Sequence, residues 1–118
     1  MRYICALTIA GSDCSGGAGI QADIKTMSAL GVYAATAITS ITVQNTKGVK
    51  AVHGVNSLIV ADQIKAVMDD IKPDAVKIGM VNDCATIHAI ADTLKYYSEC
   101  PIVIDPIMVS TSGFNLMK

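Results

Sequence analysis

The chain has 118 residues, 52% of them hydrophobic, which suffices for one domain around one core and excludes a disordered product. Its 9 basic and 10 acidic residues are dispersed and leave a net charge of -1, which gives no footprint for nucleic acid or an anionic membrane and favours a small-molecule partner. No apolar run approaches the roughly 20 residues of a membrane helix, and the short run from Met1 to Ala10 leads into a glycine-rich segment rather than a cleavage site, so the chain reads as cytoplasmic.

Tyr3 to Ala10 is a near-continuous apolar run, as expected of a strand buried on both faces. Gly11 to Gly19 interrupts it with turn residues. From Ile20 the period becomes helical, with Ile20, Ile24, Met27 and Leu30 on one face and Gly31 as the C-terminal stop. Tyr33 to Val43, rich in Thr, Ile and Val, predicts a second buried strand ending at Gln44 and Asn45. Lys47 to Val55 alternates apolar with polar or small residues and carries Gly48 and Gly54, which predicts a short exposed strand, a flap rather than core sheet. Asn56 or Ser57 caps a helix through Ile59, Ile64, Val67, Met68 and Ile71, and Pro73 ends it. Ala75 to Val81 is the third core strand. Asn82 or Asp83 caps a helix with the stripe Ile87, Ile90, Ala91 and Leu94, and Ile102 to Ile104 opens a fourth strand closed by Asp105 and Pro106.

This alternation implies right-handed crossovers and an α/β fold, a parallel sheet with helices on both faces in three layers. Ligands of such sheets bind beyond the carboxyl ends of the strands, here Gly11 to Asp13, Gln44 and Asn45, Gly79 and Met80, and Asp105. The last strand lacks the helix that should cover one of its faces. The fold is therefore expected to be incomplete at its C-terminal end, with an exposed apolar edge or face, as a fragment or as a fold completed by another chain.

Gly17, Gly19 and Ala22 satisfy the G-x-G-x-x-G/A spacing of dinucleotide-binding loops, but no acid lies between Asp23 and Asp62 to take the ribose. No lysine followed by serine or threonine closes the glycine run, which excludes a Walker phosphate loop. The segment is then either a turn in which glycines permit positive backbone angles or, with Asp13 and Asp23 flanking exposed amides, a recognition loop for a ligand bearing hydroxyl or amino groups. Gln44 offers an acceptor and donors in one plane, which suits the edge of a heterocycle as well as a strand-end cap. Met80 suits a flexible wall for a planar ring as well as core filling, and Asp105 suits a magnesium ion with its bridged phosphates as well as a strand-to-loop turn. His88, Lys47 and Lys50 read as solvated side chains. Cys5, Cys14, Cys84 and Cys100 form no CxxC pair and His53 and His88 are isolated, so neither a zinc site nor a disulfide framework is expected.

The run from Ala6 to Thr26, with Val43-Gln-Asn-Thr46, Lys77-Ile-Gly-Met80 and Asp105-Pro-Ile-Met-Val109 followed by Ser112-Gly113, closely resembles the amino-terminal part of hydroxymethylpyrimidine/phosphomethylpyrimidine kinases. The resemblance implies a ribokinase-like fold and transfer of the ATP γ-phosphate to the hydroxymethyl group of the pyrimidine and then to its monophosphate, in thiamin biosynthesis. It implies that Gly11, Asp23 and Gln44 bind the aminopyrimidine, that Met80 and Ile107 are apolar walls, that Asp105 lies toward magnesium and phosphate, and that the flap helps to cover the substrate. It also implies a homodimer. The activating residue and the anion hole belong to the family's second half, so no catalytic residue is expected within these residues and the chain alone is expected not to turn over. Cys14 stands where the family usually has proline, which should loosen the first loop, and Thr42 replaces an aliphatic wall residue. A pyridoxal kinase and a non-catalytic pyrimidine-binding module are the alternative readings.

Overall fold

Cys5, Leu7 and Ile9 alternate with Ala6, Thr8 and Ala10, so the two faces of the first strand carry different chemistry. In the computed structural model, which describes residues 3–81, 83–97 and 99–105, this strand is β1 (Cys5–Asp13) and lies inside a five-stranded sheet. It is followed by α1 (Gly19–Ala29), β2 (Tyr33–Asn45), β3 (Gly48–Gly54), α2 (Ser57–Asp70), β4 (Ala75–Ile78), α3 (Cys84–Leu94), a short 3-10 turn (Lys95–Tyr97) and β5 (Ile102–Ile104). The strand order is β3-β2-β1-β4-β5, with β1 parallel to both β2 and β4, and β4 parallel to β5.

The four expected core strands run parallel, and the flap segment adds an exposed antiparallel arm at the sheet edge. β3 pairs antiparallel with β2, from Ser40 opposite Gly54 to Asn45 opposite Gly48, so the sheet is mixed and its edge strand is a hairpin arm. Asn45 Oδ1 accepts from Lys47 N at 2.9 Å and stabilises the turn between the two strands.

Leu7, Ile9, Ala35, Ala37 and Val76 face Val60, Ile64 and Met68 of α2 and Ile90 and Leu94 of α3, and this apolar layer is the core. Each fully buried Leu, Ile or Val contributes roughly 1.5–3 kcal/mol of transfer free energy. The opposite face presents Thr8 and Lys77 and is covered by α1. One helix on one face and two on the other give the three expected layers.

Asn56 caps α2, its Oδ1 accepting from Leu58 N at 2.8 Å, and Asp83 caps α3, its Oδ1 accepting from Thr86 N at 2.7 Å. The buried faces are rotated from the expected stripes. α2 buries Val60, Ala61, Ile64 and Met68, whereas Ile59 is 53% exposed, and α3 buries Thr86, Ile90, Thr93 and Leu94 while Ala91 is exposed. An unbroken apolar pair such as Ile59-Val60 leaves the choice between neighbours to helix packing. The expected apolar edge is present: Ile102, Val103 and Ile104 of β5 are all exposed. Asn82, Pro106 and the predicted wall residue Ile107 lie outside the described residues.

Candidate functional site

The connections from β1 and β4 leave the sheet in opposite directions, because α1 carries the chain back to β2 while α3 carries it on to β5. Strand order reverses there, and such a reversal opens a crevice at the carboxyl ends of the two strands. Gly11 lies near the carboxyl end of β1, and Gly79-Met80 directly follow β4.

Gly11 is buried and its lack of a side chain is used. A Cβ at this position would run into the Met80 methyl and come within 2.7 Å of Ser40 Oγ, so both side chains close over the bare glycine. Met80 is held through its backbone, since Thr39 Oγ1 donates to its carbonyl oxygen at 2.7 Å. Of the candidate residues, Gly11 and Met80 are thus in direct apposition.

The glycine-rich loop turns inward. Asp13 is buried, and its carboxylate accepts from Ser15 N at 2.8 Å, Ser15 Oγ at 2.7 Å, Gly17 N at 2.9 Å and Ala18 N at 2.8 Å. The amides that a phosphate loop would offer to a ligand are occupied by the chain's own carboxylate. Burial pushes the Asp13 carboxyl up, but the bonds from Ser15, Gly17 and Ala18 together outweigh it and hold the carboxyl below its ordinary value. Asp13 is accordingly a loop organiser rather than the ligand-recognition carboxylate that is one of the two readings of this loop. Gln21 fastens the same loop to α1, its Oε1 accepting from Asp13 N and its Nε2 donating to Ser12 Oγ, both at 2.8 Å.

Asp23 lies one turn into α1 and faces the sheet. Its Oδ2 accepts from Thr8 Oγ1 at 2.5 Å and from Lys77 Nζ at 2.9 Å, with the Lys77 and Asp23 side chains 24% and 19% exposed. Gly79 leaves room for the ammonium, because a Cβ there would stand 3.0 Å from Lys77 Nζ. Thr8 and Lys77 were not expected as site residues; the available signal is a polar residue in an apolar strand, Thr8 in Ala-Leu-Thr-Ile-Ala and Lys77 in Ala-Val-Lys-Ile. Lys77→Met is expected to cost about 2 kcal/mol in urea unfolding, because it leaves the Asp23 carboxylate half-buried beside a single hydroxyl. Lys77→Arg is expected to recover part of that loss, and equal stability of both variants and the parent would remove the ion pair from the account.

Gln44 sits near the end of β2, half-buried beside a bulge in the β2–β3 pairing. Its backbone is gripped by Cys14, whose Sγ donates to Gln44 O at 3.1 Å and accepts from Gln44 N at 3.4 Å. Cys14 therefore tethers the first loop to the second strand end, where the sequence suggested a looser loop. Thr42 is buried with its hydroxyl donating to Ser12 O at 2.8 Å, so it presents no free hydroxyl to a ligand. Asp105 follows β5, exposed, with its amide donating to Ile78 O at 2.9 Å. Among the described residues no group of three metal-ligating side chains occurs and all four cysteines are free of disulfides.

A family model for phosphomethylpyrimidine kinase matches residues 13–118. The chain is 58% identical over 113 residues to hydroxymethylpyrimidine/phosphomethylpyrimidine kinase of Rhizobium meliloti, covering 96% of this chain and 42% of the relative. It is 45% identical to the Escherichia coli kinase of the same name, covering 100% of this chain and 44% of the relative. Among solved structures, phosphomethylpyrimidine kinase of Clostridium difficile superposes with a TM-score of 0.90 at 56% identity, over 98% of this chain and 50% of that one. An ADP complex of Bacillus subtilis pyridoxal kinase superposes with a TM-score of 0.82 at 40% identity, over 91% of this chain and 42% of that one. The chain thus spans half or less of the length of these relatives, all of them kinases, and its sheet is that of the ribokinase-like fold. This chain belongs to the phosphomethylpyrimidine kinase family.

Proposed function

We propose that these residues form the pyrimidine-holding side of a cytoplasmic, ATP-dependent kinase that phosphorylates hydroxymethylpyrimidine and then its monophosphate in thiamin biosynthesis. The observation that carries this reading is the apposition of Gly11 and Met80 at the strand-order reversal. A bare glycine on one wall and a flexible thioether on the other suit a flat ring, and Gln44 at the neighbouring strand end suits its donor and acceptor edge. Asp23 is assigned to the ring's amino group through Oδ1, since Thr8 and Lys77 both bind Oδ2. Ile107 is assigned as a further wall.

Magnesium is held in proteins by one or two carboxylates together with substrate phosphates, and the exposed Asp105 carboxylate at a strand end fits that role. The ion would neutralise charge on the phosphates it bridges. ATP itself, the anion hole and the group that activates the acceptor hydroxyl are assigned to the further length of the family. The β2–β3 hairpin is assigned as a cover over the substrate, and the assembly is assigned as a homodimer.

Titration of the 118-residue chain with hydroxymethylpyrimidine in a calorimeter is expected to show binding about tenfold or more tighter than pyridoxal. With magnesium-ATP added, no phosphorylated pyrimidine is expected from this chain alone. Absence of pyrimidine binding would refute the reading, transfer by the isolated chain would refute the assignment of catalysis elsewhere, and tighter binding of pyridoxal would favour the pyridoxal kinase reading that the Bacillus subtilis likeness supports.

A further inference from the structure

Four of the buried threonine hydroxyls in this fold are paired. Thr39 donates to Met80 O, Thr42 to Ser12 O, Thr93 to Ala89 O and Thr8 to Asp23 Oδ2. Ser40 is as buried as any of them, at 0% exposure, yet its Oγ has no donor or acceptor among the described residues. A buried polar atom without a partner is uncommon in native folds and calls for a cause.

Its position supplies one. Ser40 Oγ, from β2, and the Met80 methyl, from the segment after β4, converge on the same point over the bare Cα of Gly11 near the carboxyl end of β1. The Met80 backbone is anchored by Thr39, but its side chain is an unbranched thioether that changes rotamer at low cost. Displacement of the methyl would uncover both the glycine and the serine hydroxyl, and a hydroxyl can donate to a ring nitrogen or accept from a ring amine.

We propose that Ser40 is a specificity-determining contact, a hydroxyl covered by Met80 in the free chain and hydrogen-bonded to the polar edge of a heteroaromatic ring when one enters. The proposal rests on the pyrimidine reading given above and adds a residue to it. It makes Met80 a movable cover as well as a wall. An unpaired hydroxyl is destabilising until the ligand arrives, so its effects on folding and on binding have opposite signs.

That opposition is the test. Ser40→Ala removes only the hydroxyl, and it is expected to raise the urea midpoint of the chain while weakening hydroxymethylpyrimidine binding about tenfold by calorimetry. A raised midpoint with unchanged affinity would overturn the proposal, because the hydroxyl would then be an orphan without a ligand. A lowered midpoint would overturn it too, by showing that the hydroxyl already has a structural partner. If the parent chain binds no hydroxymethylpyrimidine, the pyrimidine reading fails and this proposal fails with it, which is distinct from loss of the Ser40 effect alone.

Discussion

Gly19→Ala is expected to destabilise the fold by about 4 kcal/mol or more and to abolish ligand binding. Gly19 opens α1 with a φ of +59, a left-handed conformation that costs an L-residue roughly 1–2 kcal/mol. The larger part is steric. A Cβ at this position would collide with the carbonyl oxygen of Gly11 and stand 3.1 Å from its carbonyl carbon, so backbone rather than a flexible side chain is in the way. Neither partner can yield, because Ser12 and Gly19 are bridged and the far side of Gly11 is packed against Met80 and Ser40. Gly31 is the internal control: it also has a positive φ, +77, but nothing stands within 4 Å of where its Cβ would be. Gly31→Ala is expected to cost only about 1 kcal/mol in the same urea titration. Equal losses at both positions would show that backbone conformation, and not the approach of α1 to β1, sets the cost.

Much of this arrangement is written in local patterns. The runs Tyr3 to Ala10 and Tyr33 to Val43, the capping residues Asn56 and Asp83 and the helical period after Ile20 each predict an element that is present, because strand and helix periods differ. The strand-end rule likewise points to Gly11 and Met80, which are in contact. Other features depend on which segments meet. The antiparallel pairing of β3 is a tertiary choice, although Asn45-Thr-Lys-Gly48 carries turn chemistry that marks a hairpin. Lys77 and Asp23 are 54 residues apart and Thr8 and Asp23 are 15 apart, so only the crossover of α1 reveals their ion pair and hydrogen bond. Ser40 is less legible still: a serine within a strand has no special pattern, and its isolation is visible only once every neighbour is placed. Asp13 illustrates the reverse case, a carboxylate in a suggestive loop whose lone pairs are filled by that loop.

Asp13→Asn is expected to cost about 3 kcal/mol at neutral pH and to change how stability depends on pH. The two carboxylate oxygens accept four hydrogen bonds, Oδ1 from the Ser15 amide and hydroxyl and Oδ2 from the amides of Gly17 and Ala18. An asparagine oxygen can replace one carboxylate oxygen, but its NH2 group would then point donors at donors, in either rotamer, at a site 3% exposed. The sign of the pH effect follows from the depressed carboxyl. Because Asp13 holds its proton less tightly folded than unfolded, its stabilising contribution is complete above the unfolded aspartate range near pH 4 and is lost as pH falls through the lower folded value. The parent chain should therefore lose stability on acidification below about pH 4 more steeply than Asp13→Asn, and the two urea midpoints should draw together. The loop of Ser15 to Ala18 would loosen in the same interval, releasing the N-terminus of α1 and, through Gly19, the floor beneath Gly11. Parallel midpoint curves for the two proteins from neutral to acid pH would mean that the charge on Asp13 contributes nothing, and that the glycine-rich loop is held by its backbone alone.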